Sequence, residues 1–283
     1  MLKEAIRVLN PIPGGTYVDA TIGPGGHSEA ILKLIGTGGR LIGIDRDNDA
    51  LRMAQERLSD KRAILRKGNF SDMENLLNKD GITEVDGILF DLGISMVQMK
   101  DPERGLSFIS DKRLDMRMDR EQALSAWDVV NRYPQKELER ILREFGEERL
   151  SRKISESIVR ERKIRPIVTC SELSEIVERV YGRRGRVHPA TKTFQALRIE
   201  VNRELEELQK GLDSSVRILK KGGRLCVISY HSLEDRIAKH FIARSSKDGF
   251  LRVITKKPVT PGHEEIRSNP SSRSAKLRAA ERI

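Results

Sequence analysis

Cysteine is nearly absent from this chain: 283 residues contain only Cys170 and Cys226. The two are far apart and in no metal-ligand spacing, so neither a disulfide framework nor a zinc site is expected. Cys226 sits in an apolar run and reads as a small core residue. No stretch approaches the ~20 apolar residues that span a bilayer, and no signal-peptide run opens the chain. A cytoplasmic protein without a membrane partner is expected. Aromatic residues make up only 4%, whereas charged residues reach 34% beside 37% hydrophobic ones. That balance fits a soluble globular protein with a heavily charged surface. Acids are outnumbered: the formal charge is +11 and the pI about 9.7. A nucleic acid or another polyanion is the natural partner for such a charge, although a merely soluble basic enzyme would carry it too.

A complete dinucleotide fingerprint is also missing. Tyr17-Val18-Asp19-Ala20-Thr21-Ile22 reads as a strand running into Gly23-Pro24-Gly25-Gly26-His27-Ser28, a glycine turn that opens a helix. The Rossmann pattern G-x-G-x-x-G needs a third glycine where this chain has Ser28. Asp19, at the end of the first strand, would repel a pyrophosphate but suits an ammonium or sulfonium group. Asp45 ends the next apolar strand, 19 positions after Gly26, about where such units place a carboxylate on ribose hydroxyls. S-adenosyl-L-methionine has the ribose and both cations and no phosphate. An ordinary strand-to-helix turn without ligand would show the same glycines but has no need of Asp45.

Strands are expected at 16–20, 40–45, 63–67 and 86–91, with helices near 27–35, 47–58 and 71–78 between them. The alternation predicts a parallel sheet covered on both faces. From 102 to 202 helical periodicity replaces it. Leu138, Ile141, Leu142 and Phe145 form one stripe, Ile154, Ile158 and Val159 another, and Leu173, Ile176, Val177 and Val180 a third. A helix over 201–219 should then lay Val201, Leu205, Leu208, Leu212, Val216 and Leu219 on the sheet, ending at Gly222-Gly223. A strand at 224–230, a helix near 233–244, a strand near 250–256 and a last edge strand in the tail complete the expectation. The domains are thus 1–101 with 203–283, and an all-helical insert at 102–202.

Several runs in order carry a family resemblance. They are Gly25-Gly26-His27-Ser28, Ile44-Asp45-Arg46-Asp47, Asp91-Leu92-Gly93-Ile94-Ser95, Arg104-Gly105-Leu106-Ser107-Phe108 and Leu114-Asp115-Met116-Arg117-Met118-Asp119. Further on come Phe145-Gly146-Glu147-Glu148-Arg149, the run from His188 to Arg198, and Ser229-Tyr230-His231-Ser232-Leu233-Glu234-Asp235-Arg236. Over nearly its whole length the chain resembles the RsmH (MraW) family of bacterial 16S rRNA cytosine-N(4) methyltransferases. The resemblance implies an α/β, class I S-adenosylmethionine-dependent methyltransferase fold (a Rossmann-like doubly wound sheet) with a helical insert that recognises substrate. It implies methylation of a cytidine amine in the P-site region of the decoding centre, with 16S rRNA or the small ribosomal subunit as partner. No metal is expected, because a sulfonium already makes its methyl electrophilic. The chain departs from the family in having Met96-Val97 for Ser-Pro, Lys112-Arg113 for Gly-Pro and Tyr230 for Phe.

The resemblance assigns Gly25, Gly26, His27, Asp45, Phe70, Asp91 and Gln98 to the cofactor. His27 could equally start a helix, and Phe70 could equally be core packing. Asp91 ends strand four, where open α/β sheets bind ligands, and faces either the methionine part or the target amine. His231 is a second catalytic candidate that could instead be structural. The basic loop after Tyr181, with Arg183, Arg184 and Arg186, and Lys192 beyond it, is the candidate RNA contact, since arginine pairs with phosphate as a fork. Tyr181 could stack on a base. The tail from Lys256 to Arg278 is a second basic candidate. A DNA amino-methyltransferase is disfavoured because Asp91-Leu92-Gly93-Ile94 replaces the Pro-Pro-aromatic turn such enzymes carry. A catalytically inert RNA-binding protein has no need of Asp45 and Asp91.

Overall fold

The computed structural model describes residues 1–182 and 188–283, without the side chain of Lys100. Two compact units emerge, Met1–Gly93 with Leu205–Ile283, and Ile94–Glu204. The boundaries fall at 93/94 and 204/205, where the sequence pattern suggested 101/102 and 202/203. Arg203 has φ +49° and caps helix Thr191–Asn202, so the chain breaks there before helix Glu204–Ile218 starts. Val201 therefore belongs to the second unit's core and not to the stripe that faces the sheet. Leu208 and Leu212 are the buried residues of that stripe.

The first unit is built on seven strands: β1 (Thr16–Asp19), β2 (Arg40–Asp45), β3 (Ala63–Lys67), β4 (Val85–Asp91), β5 (Leu219–Ser229), β6 (Leu251–Val253) and β7 (Lys276–Arg282). Their order is β3-β2-β1-β4-β5-β7-β6. β1 to β5 run parallel, and β7 pairs antiparallel with both β5 and β6. The tail strand is thus interior, not an edge as expected. Its buried Leu277, Ala279 and Ala280 explain the preference. β5 begins earlier than expected, at Leu219. Gly222, with φ +81°, lies where the pairing register with β4 jumps, so the glycine pair makes a bulge and not a helix end.

Strand side chains alternate between two cores, as a pleat requires. Val18, Ile42, Ile44, Ile88, Phe90 and Val227 join one face. Tyr17, Leu41, Leu89, Cys226 and Ile228 join the other. Both faces are covered, and these strands accordingly read as continuous apolar runs. Cys226 is fully buried, which pushes its thiol up to about 12.

The second unit is helical, with five longer helices: Ala126–Arg132, Gln135–Gly146, Ser151–Arg162, Cys170–Tyr181 and Thr191–Asn202. The three apolar stripes meet in one core, with Leu138, Ile141, Leu142, Ile154, Ile158, Leu173 and Val177 fully buried. Its irregular segment is fixed by polar bonds. The Asn202 amide donates to the Met116 carbonyl at 2.8 Å and accepts from the Met118 N–H at 2.8 Å. Buried Arg104 donates to the Met118 carbonyl at 3.0 Å. The Arg104 and Asp115 motifs therefore hold this unit together. No helix among the described residues is long and apolar enough to cross a membrane.

Candidate functional site

The C-terminal ends of the parallel strands bring together Asp19, Asp45 and Asp91. The turn after β1 is stitched to its neighbours. Ala20 N–H donates to the Leu89 carbonyl at 2.8 Å, and Ile22 N–H to that of Ile44 at 3.0 Å. Gly25 takes φ +83° as the N-cap of helix Gly26–Leu34, and a Cβ there would lie 3.3 Å from the Leu58 side chain. Gly25→Ala is expected to cost about 1–2 kcal/mol from the left-handed backbone alone. A melting curve should show the midpoint lowered by a few degrees; an unshifted curve would mean the turn tolerates a side chain.

Asp45 holds this turn as well as facing it. Its Oδ2 accepts from Gly23 N–H at 3.0 Å and its Oδ1 from Asp47 N–H at 2.9 Å. Burial raises its pKa, against the pull of those two bonds. Each oxygen retains acceptor capacity, and the residue is part exposed.

Asp91 is gripped from three sides. Its N–H donates to Thr21 Oγ1 at 2.7 Å, Tyr230 OH donates to its Oδ1 at 2.9 Å, and His27 Nδ1 lies 3.4 Å from its Oδ2. Burial lifts its pKa, and His27 and Tyr230 pull it back. Burial, followed by the charge of Asp91, drives the Tyr230 phenol far above its usual range. Asp19 is 1% exposed and accepts from Ser28 Oγ at 2.7 Å. Burial pushes its carboxyl up to about 6, opposed by His27 and Ser28 and reinforced by Asp91. His27 Nε2 is buried and has no hydrogen-bond partner among the described residues.

The remaining candidates are placed differently. Phe70 follows β3 at the same sheet end, edge-on to Phe90 with centroids 5.5 Å apart. It also packs against helix Glu204–Ile218, where a Cβ on Gly211 would meet its ring at 2.8 Å. His231 caps helix Ser232–Lys247, its Nδ1 accepting from Glu234 N–H at 3.4 Å while Nε2 lies 3.1 Å from Glu234 Oε1. Gln98 belongs to the second unit, where its Oε1 accepts from Ser95 N–H at 3.0 Å in a capping box. Lys192, also there, donates to the Glu147 carbonyl at 2.8 Å. Arg183, Arg184 and Arg186 lie outside the described residues. Tyr181 has its hydroxyl on both Glu148 oxygens, at 2.7 and 2.8 Å, which ties down the ring proposed for stacking. No sequence pattern announces the roles of Thr21, Ser28 and Tyr230. Thr21 and Ser28 carry hydroxyls close to Asp19 in the chain, and Tyr230 stands out only as a tyrosine where the family has phenylalanine.

A ligand for this site must tolerate carboxylates. Gly23 N–H is spent on Asp45 and Gly25 N–H on the Ile22 carbonyl, so neither amide is left for a pyrophosphate. Three acids and a donor-competent, unsatisfied histidine nitrogen fit an adenosyl compound bearing an ammonium, a sulfonium and a carboxylate. The family model of the MraW methylase family matches residues 1–283. The chain belongs to the MraW methylase family. Over 286 residues it is 50% identical to a ribosomal RNA small subunit methyltransferase H from Persephonella marina, covering 99% of this chain and 97% of that one. The namesake from Caldicellulosiruptor saccharolyticus is 47% identical over 300 residues, covering 100% and 98%. Among solved structures, a putative rRNA-methylase from Clostridium thermocellum superposes with a TM-score of 0.50 at 15% identity, covering 99% and 96%. That likeness and the strand order give this MraW-family chain the class I methyltransferase fold.

Proposed function

We propose that this chain moves the methyl group of S-adenosyl-L-methionine to the exocyclic N(4) of a cytidine in the P-site region of 16S rRNA, in the cytoplasm. The observation that carries the reading is the set of three carboxylates, Asp19, Asp45 and Asp91, at the ends of β1, β2 and β4. The names of the full-length relatives support the rRNA substrate. When bound, the cofactor supplies an electrophilic methyl group that needs no metal to activate it. Asp45 accepts from the ribose hydroxyls, and Phe70 offers its ring to the adenine. His27 and the charge of Asp19 serve the methionyl end. Gln98 keeps its cofactor assignment on the resemblance alone, as do Arg183, Arg184, Arg186 and Lys192 toward RNA. The helical unit is assigned to substrate recognition.

Asp91 is the residue placed to serve the amine. The lone pair of a cytosine amine is delocalised into its ring. A carboxylate accepting from the amine hydrogens localises it and holds the charge that develops on nitrogen. The nitrogen becomes acidic as it is methylated, so a strong base is unnecessary. His231 takes a structural part, as the cap of helix Ser232–Lys247, while Glu234 accepts from Tyr230 N–H. Duplex RNA hides its base edges, so the target must be unpaired or flipped out. Mass mapping of small-subunit rRNA from cells with and without the protein tests the reading. One cytidine should lose a base methyl in its absence; an unchanged methylation map, or a methyl missing from a different nucleobase, would refute it.

A further inference from the structure

Residues 254–275 connect β6 to β7. Both β5 and β6 pair antiparallel with β7, so β6 points the same way as β5. The connection therefore leaves and re-enters the sheet at the end that carries Asp19, Asp45 and Asp91. Register makes this close: Ser229, next to Tyr230, lies opposite Lys276. Arg273 is three residues before Lys276, at most about 11 Å along an extended chain.

Lys256, Lys257, Arg267 and Arg273 are exposed on this connection. None has an ion-pair or side-chain hydrogen-bond partner among the described residues. Many arginines elsewhere in the same unit lie on carboxylates, as Arg62 does on Asp60 and Arg244 on Asp213. Of the connection's two acids, Glu265 is taken by the Met1 amino group. The next cations along, Lys276 and Arg278, share the single carboxylate of Asp235. At this end of the sheet the tail's cations without a carboxylate partner are therefore those of the connection.

The connection is held in place. Val259 and Leu277 exchange backbone hydrogen bonds at 2.9 and 2.8 Å. Thr255 Oγ1 accepts from Ala279 N–H at 2.9 Å. Ser272 is 1% exposed and donates to the Asn269 carbonyl at 2.7 Å. Four unpaired cations spread from 256 to 273 do not converge on one small anion. They suit a polymer of regularly spaced negative charges.

We propose that Lys256, Lys257, Arg267 and Arg273 form a phosphate-backbone clamp for the RNA strand that delivers the target nucleotide. This rests on the reading of the pocket as an rRNA methylation site. It adds the surface that holds the strand beside it. An acidic protein is disfavoured because the proposed reaction requires a nucleobase at the neighbouring strand ends.

The test replaces all four by alanine in the full chain and measures binding of a small-subunit rRNA fragment against salt. At about 0.1 M salt affinity should fall roughly tenfold or more. The slope of log affinity against log salt should become shallower by up to about three, near 0.7 per lost contact to a single strand. The melting midpoint and S-adenosylmethionine affinity should hold. Lys61→Ala/Lys221→Ala, which removes two exposed cations at the opposite sheet end, should leave RNA binding unchanged. An unaltered slope in the quadruple variant overturns the clamp, as does an equal loss in the control. So does a variant that loses only polyglutamate binding. If the wild-type chain binds the cofactor yet neither binds nor methylates rRNA, the functional reading falls with the clamp. If it methylates rRNA and the quadruple variant does so equally well, only the clamp falls.

Discussion

Asp45→Ala is expected to weaken S-adenosylmethionine binding at least a hundredfold. Two ribose hydroxyls donating to one carboxylate are charge-assisted bonds worth about 1.5–3 kcal/mol each. Even the lower end, for both together, corresponds to roughly a hundredfold in affinity. The same change should also lower stability. Asp45 accepts from Gly23 and Asp47 N–H groups, and alanine leaves both donors without a partner. Each orphaned donor costs about 1–3 kcal/mol when buried. Relief of a partly desolvated carboxylate offsets some of this, because burial raises the Asp45 pKa. A net loss near ~1 kcal/mol follows, visible as a modest fall in melting midpoint. Asp45→Asn keeps one acceptor oxygen and should fall between wild type and alanine in both respects. Calorimetric titration settles the matter: affinity unchanged in the alanine variant removes Asp45 from the cofactor site.

That double duty shows what a sequence can and cannot tell. Position in the pattern was enough to single out Asp45 as a candidate and to place it at the strand ends, because strand, glycine turn and acid recur at fixed separations when a parallel sheet binds a ribose. Its bonds to Gly23 and Asp47 are backbone geometry, which no residue identity announces. Tyr230 is similar. Its hydroxyl reaches Asp91 across 139 positions of chain, and only the pairing of β4 with β5 brings them together. The tail strand was legible as a strand but not as an interior one, because Leu277 to Arg282 satisfies two neighbours and local alternation cannot count neighbours. The helix expected to begin at 201 was misjudged for a different reason. Val201 continues the period of the residues after it, but a left-handed Arg203 ends one helix and lets another begin. The pattern of Gln98 matched a cofactor motif, and its side chain closes a capping box in the other unit. Periodicity and motif spacing report local fit; which elements share a partner is decided by packing.

The second large effect is expected at Asp19, where stability and binding should move in opposite directions. The Asp19 carboxyl is buried, its pKa pushed up to about 6 by desolvation. An unfolded aspartate titrates near ~3.9. Between those two values the folded chain holds a proton that the unfolded chain has lost. Stability therefore falls as pH rises through this window and levels off above it. At neutral pH the buried charge costs on the order of 3 kcal/mol, about two pKa units of differential protonation. An asparagine side chain in its place cannot ionise, and its amide can still bond to Ser28 Oγ and Thr21 N–H, the partners of Asp19. Asp19→Asn should thus match wild type near pH 4 and exceed it by several degrees in melting midpoint above pH 7. Cofactor binding should go the other way. On the proposed reading the lost negative charge serves the ammonium and sulfonium of the cofactor from a buried position, so affinity should drop about tenfold or more. The repulsion between Asp19 and Asp91 is mutual, so removing one charge lets the other ionise at lower pH. The acid limb of cofactor binding should accordingly shift downward in the variant. Melting curves and titrations from pH 4 to 8 test both halves. A variant no more stable than wild type at pH 8 would mean that Asp19 does not carry an uncompensated buried charge.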